Sequence, residues 1–161
     1  MVLLLPIEAE KNEPRLEYLK LFLKGRPAVS YCQEFLDAAD SYHLDWRLLP
    51  AISVVESSGG KHARNFNWFG WNSGRAKFTD PEQAIYTVAY SLGTTDRYRS
   101  LTPYQAMHRY NPYHGYAEKV QDYMSQIDEG YSNKIHHRWT RYFFHRFRKH
   151  HKRKHRSKHH K

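Results

Sequence analysis

The chain has 161 residues and a formal net charge of +10, a length that suits one domain with a real hydrophobic core. The charge is divided. Of the 26 Lys and Arg, 12 lie from Lys134 onward with no Asp or Glu among them, leaving 14 basic against all 16 acidic residues in a body of about −2. Basicity therefore belongs to an appendage, and a single cysteine, Cys32, excludes an intramolecular disulfide framework. No stretch is long enough to span a membrane. The apolar run Met1–Pro6 is short and lacks a basic lead, so it does not read as a signal peptide.

In chain order, residues 1–29 read as an N-terminal appendage or first packing helix, with Leu16, Tyr18, Leu19, Leu21, Phe22 and Leu23 in a short helix ended by Gly25 and Pro27. Ser30 reads as an N-cap, with Gln33 completing a capping box. The helix it opens places Phe35, Leu36 and Ala39 on one face and ends near His43, and Cys32 within it reads as a small buried hydrophobe. Asp45 is the expected cap of the next helix, with Pro50 bending it or delaying its start.

That next helix leads into Leu48 to Trp71, LLPAISVVESSGGKHARNFNWFGW, around which the rest is arranged. Leu48, Leu49, Ile52 and Val55 recur at helical spacing, which sets Glu56 at the edge of the buried stripe. A carboxyl there is partly desolvated, and desolvation raises its pKa until it can hold and donate a proton near neutral pH. Ser57, Ser58, Gly59 and Gly60 stop the helix, with the glycines free to take the positive φ of a C-terminal cap. The competing structural reading makes Glu56 a solvated last-turn residue. From Lys61 to Thr79 no period holds, and Asn65 to Asn72 reads as a loop or small hairpin rich in aromatics and amides.

Asp80-Pro81-Glu82-Gln83 and Thr102-Pro103-Tyr104-Gln105 are helix starts, each with a cap, a proline at the first helical position and Gln at the third. Ala84, Ile85, Val88, Ala89 and Leu92 give the first a core face, and the second ends near Arg109. A last body helix runs from about Tyr116 with Val120, Tyr123, Met124 and Ile127 inward, closed by Gly130. The body histidines are scattered and form no ligand spacing, so neither metal nor cofactor is expected.

The Glu56-Ser57-Ser58-Gly59-Gly60 turn followed by Asn67-Trp68-Phe69-Gly70, with a later tyrosine segment, resembles the catalytic helix and loop of the lysozyme-like superfamily, most of all its endo-β-N-acetylglucosaminidase and flagellar muramidase branch, with lytic transglycosylases as near relatives. The likeness runs over about residues 30–127. It implies an all-α, lysozyme-like domain over residues 30–131 that cleaves peptidoglycan glycan strands, with Glu56 as general acid and a location at the cell envelope or outside the cell. Tyr110 and Tyr116 stand at the family's Y-x-x-x-x-x-Y spacing. The resemblance makes Tyr110 the tyrosine across the cleft, although Tyr113 stands where the family carries an acid. Substrate contacts are expected from Ser57, Asn67, Trp68, Phe69, Trp71, Tyr113 and Tyr116. Glycosidases commonly pair two carboxylates, but no acid lies between Glu56 and Asp80. Asp80 is better explained as a cap, and Asp96 is a weak alternative. A mechanism led by one acid follows, as in the transglycosylases. The rival readings are a scaffold that holds glycan without cutting it and a nucleic-acid or membrane binder driven by the tail.

In the tail, residues 132–161, Ile135, Trp139, Tyr142, Phe143 and Phe147 share a stripe among arginines, and residues 149–161 hold only Lys, Arg, His and one Ser. Such a segment suits an anionic wall polymer or membrane surface, with nucleic acid as a less favoured partner. Its eight histidines add charge below about pH 6.5. The protein is expected to act as a monomer.

Overall fold

The computed structural model describes residues 14–133; the expectations for the segment before Pro14 and for most of the tail lie outside them. The described chain is mainly helical and has no strand. In order it forms α1 (Pro14–Phe22), a 3-10 helix (Pro27–Tyr31), α2 (Cys32–Ser41), α3 (Leu48–Ser57), α4 (Pro81–Thr94), α5 (Pro103–Tyr110) and α6 (116–133).

α3 is the centre. Leu48, Leu49, Pro50, Ala51, Ile52, Ser53 and Val54 are all buried, so the helix is enclosed on nearly every side and shows no single stripe. Val54 is buried while Val55 is only partly so, the reverse of the expected face. The start of α3 falls at Leu48, later than a cap at Asp45 would set it, in keeping with the delay expected from Pro50. As the third residue of α3 it falls in the first turn, where backbone N–H groups have no helical acceptor anyway. Asp45 is not the cap of α3: the cap position falls to Arg47 with no side-chain bond, and Asp45 Oδ1 instead accepts the Arg47 N–H at 3.0 Å in the turn that leads in.

One core cluster joins α3 to Leu19 and Leu23 from the α1 segment, Phe35 and Leu36 of α2, Ile85 and Val88 of α4, Met107 of α5 and Val120 of α6, all with no exposed surface. Burying each such side chain contributes about 1.5–3 kcal/mol. Arg47 reaches Asp128 at 3.2 Å, and Trp46 meets Tyr131 edge-on at 5.4 Å, which fixes α6 against the entry to α3.

The caps of α4 and α5 are as read: Asp80 accepts the Gln83 N–H at 2.8 Å, and Thr102 and Gln105 form a full capping box. Ser30 does not cap α2, because the chain is already wound into the 3-10 helix there and the cap position falls to Tyr31 with no side-chain bond. Gly130 does not close α6, which continues through residue 133. A Cβ at Gly130 would overlap the Tyr18 phenol, so this glycine serves a close crossing of α1 over α6. The hairpin near Trp68 is absent. Asn65, Phe66, Asn72 and Ser73 all have positive φ, and the segment is a series of turns with one bridging bond, Phe78 N–H to the Asn65 carbonyl at 3.0 Å.

Candidate active site

Glu56 stands in the last turn of α3, partly buried. The helix stops at once: Ser58 turns left-handed at φ 54°, its N–H bonds the Val54 carbonyl and the Gly59 N–H bonds that of Ser53. Gly59 and Gly60 also have positive φ, but a serine, not a glycine, makes the first such turn. The backbone then doubles back and lays Gly70 against the Glu56 carboxyl, where a Cβ on Gly70 would come within 2.8 Å of Cδ. Only a glycine leaves the carboxyl this seat.

Burial raises the Glu56 pKa, and its place at a helix C-terminus, the negative end of the helix dipole, acts in the same direction. The Tyr116 phenol faces the carboxyl and opposes that rise by directing its O–H toward the charge. Tyr116 Oη is nevertheless sealed from solvent and meets no acceptor at ordinary hydrogen-bond geometry. The two groups are neighbours whose alignment is incomplete. Burial and then the Glu56 charge push the Tyr116 hydroxyl far up in pKa, so it stays protonated.

Tyr110 is close by but otherwise engaged. Its hydroxyl donates to the Phe69 carbonyl, its ring stacks on Tyr116 at 6.1 Å and 7° between planes, and Trp71 leans on it at 5.5 Å. Burial, then Glu56 and Tyr98, hold its pKa well above the ordinary value. Glu56, Gly70, Tyr110 and Tyr116 therefore form one cluster, with Trp71 at its edge.

The remaining expected contacts divide by burial. Ser57 is enclosed: its Oγ accepts the Gly60 N–H at 3.0 Å and stands 3.0 Å from the Ser53 carbonyl and 2.9 Å from that of Trp68, its one proton serving one of them at a time. Asn67 clamps Trp71 from both sides, donating to its carbonyl at 3.0 Å and accepting its N–H at 2.8 Å. Trp68 and Phe69 pack on Phe35 in the core. These four build the loop that carries Gly70. Tyr113 lies at the surface, 81% exposed.

Tyr98 went unread in the sequence. It is buried and near enough to Tyr110 and Tyr116 to shift both, but it lies between α4 and α5 where no period or motif marks it. Among the described residues no second carboxylate acts on Glu56, whose shift comes from burial and Tyr116. Asp80 is spent on its cap, and Asp96, 88% exposed, pairs with Arg99 at 2.8 Å. Among the described residues no group of His, Cys, Asp and Glu is placed to hold a metal ion, and no helix is long and apolar enough to cross a membrane.

Comparison with protein-family models, with characterised proteins and with solved structures returned no match.

Proposed function

We propose that this protein cleaves the glycan strands of peptidoglycan, on the lysozyme-like reading of its Glu56 turn and Asn67–Gly70 loop. The observation that carries this is the seating of Glu56: a lone carboxyl at a helix end, against Gly70, raised in pKa by burial and facing a phenol that keeps its proton. Such a group holds a proton above the usual carboxylate range and gives it to a glycosidic oxygen as the bond to the anomeric carbon breaks. With no second carboxylate beside it among the described residues, the same Glu56 then removes a proton from the attacking hydroxyl, of water or of the sugar itself.

Tyr116 takes the part that the motif spacing assigns to Tyr110. Its hydroxyl faces Glu56 with no other partner, whereas that of Tyr110 is held by Phe69. Action on peptidoglycan places the protein at the cell envelope or outside the cell, with the basic tail as a tether to anionic wall polymer. A glycan-binding scaffold without catalysis is the second reading, favoured by the lack of a second carboxylate at Glu56 among the described residues.

Digestion of purified peptidoglycan by wild type and Glu56→Gln, read by mass spectrometry, is the test. Soluble muropeptides from wild type alone establish the enzyme. An anhydro-muramyl end marks transglycosylation and a reducing end hydrolysis. No release by a folded wild type that still sediments with peptidoglycan leaves the binding reading.

A further inference from the structure

The loop that seats Glu56 has a second face. On that side, between the 3-10 helix and the start of α4, lies a hollow of about 500 Å³ whose walls include Pro27, Tyr31, Asn65, Phe66, Trp68 and Pro81 and do not include Glu56. The volume falls among those of small-molecule sites, about 300–1,000 Å³.

Three features give it a chemistry. Among the described residues its walls carry no charged side chain. They present aromatic surface from Phe66, 47% exposed, and from Tyr31, which meets the nearly buried Trp68 edge-to-face at 5.3 Å. They also hold hydrogen-bonding groups not spent on the fold. Among the described residues the Trp68 Nε1–H, the Tyr31 hydroxyl and the Asn65 amide have no partner, yet none is sealed off, since the enclosed unpartnered side-chain atoms are Arg26 Nε and Tyr116 Oη. Asn65 and Phe66 are both left-handed, at φ 52° and 54°. Backbone of that kind is costly for a residue with a side chain, roughly 1–3 kcal/mol each, and gathers at binding sites. Phe66 is nevertheless 47% exposed where it lines the hollow, although burial would serve stability better.

We propose that this hollow binds one N-acetylhexosamine unit of a glycan strand, holding the polymer at a point separate from the Glu56 cluster. A sugar ring offers an apolar C–H face to Phe66 and Tyr31, and hydroxyl and acetamido groups to Trp68 Nε1–H, Tyr31 and Asn65. A charged ligand would find no counter-charge in the walls. The choice of an acetylated sugar rests on the function proposed above.

The test follows the indole N–H resonances of Trp68 and Trp71 in the full chain carrying Glu56→Gln, during titration with N-acetylglucosamine and its β-1,4-linked trimer. The Trp68 resonance is expected to shift saturably, and at least about threefold less with glucose, which lacks the acetamido group. Phe66→Ala weakens the Trp68 response about five- to tenfold, the loss of one aromatic contact, and Asn65→Gly, which keeps the left-handed backbone but deletes the amide, removes the preference for the acetylated sugar. Movement of Trp71 alone, or of neither resonance, overturns the proposal. Because the titration reads binding while the muropeptide assay reads cleavage, failure of this site and failure of the proposed activity are told apart.

Discussion

The carboxyl of Glu56 rests on the bare Cα of Gly70, so that a single methyl group added there would come within 2.8 Å of Cδ. Gly70→Ala therefore suffers twice, from the collision and from its φ of 60°. Gly74 separates the two effects, because its φ of 78° is as unfavourable but nothing lies within 4 Å of an added Cβ. Gly74→Ala should lose about 1–2 kcal/mol in denaturant unfolding and keep its activity. Gly70→Ala should lose more and release almost no muropeptide, and equal behaviour of the two would mean that the carboxyl is not held by this contact.

Tyr110 and Tyr116 stack on each other yet differ in what their hydroxyls do, and removing each hydroxyl separates the roles. Tyr110→Phe strips the donor from the Phe69 carbonyl and should cost about 1–3 kcal/mol of stability. Tyr116→Phe removes an enclosed hydroxyl that has no well-aligned partner, so stability should hold or rise while glycan cleavage falls about tenfold or more. It also removes the one group that holds the Glu56 pKa down. The alkaline limb of the activity profile should accordingly move to higher pH, and a limb that stays in place would detach Tyr116 from the acid.

Local chemistry made much of this fold readable. The caps at Asp80 and Thr102 and the Glu56 turn depend on residues three or four apart, and they stand where the pattern put them. Long-range demands explain the misreadings. Gly130 looks like a helix stop but exists to let Tyr18 cross. Asn65 to Asn72 reads equally as a loop or a hairpin, and the structure makes it a loop, because nothing in non-glycine residues announces left-handed conformations. At the site, Glu56 was legible from its edge position, whereas the different fates of the two tyrosine hydroxyls depend on where Phe69 turns its carbonyl, which spacing cannot reveal.

Asp80 tests whether a second acid takes part. Its Oδ1 receives the Gln83 N–H at 2.8 Å, and that bond, with the Thr79 hydroxyl, holds its pKa below the usual range. Asp80→Ala should lower the melting temperature through loss of the cap, while Asp80→Ser, which caps equally well, should restore it. Neither should change muropeptide release. A drop in activity in the well-folded serine variant would bring Asp80 into the chemistry.

The raised pKa of Glu56 is also a statement about stability. A carboxyl that binds its proton more tightly in the folded chain than in the unfolded one favours folding at low pH, and this contribution is lost as pH rises from the ordinary carboxylate range through the folded-state pKa. Above that point the folded protein carries a partly desolvated charge at the C-terminal end of α3. Glu56→Gln replaces it with a neutral group of the same shape, so the variant should melt higher than wild type at pH 7 and close to it at pH 4. Melting curves of both proteins across that range check the sign. A gap that widens toward low pH would mean that Glu56 is held as an anion, and a general acid near neutral pH would then have to be sought elsewhere in the chain.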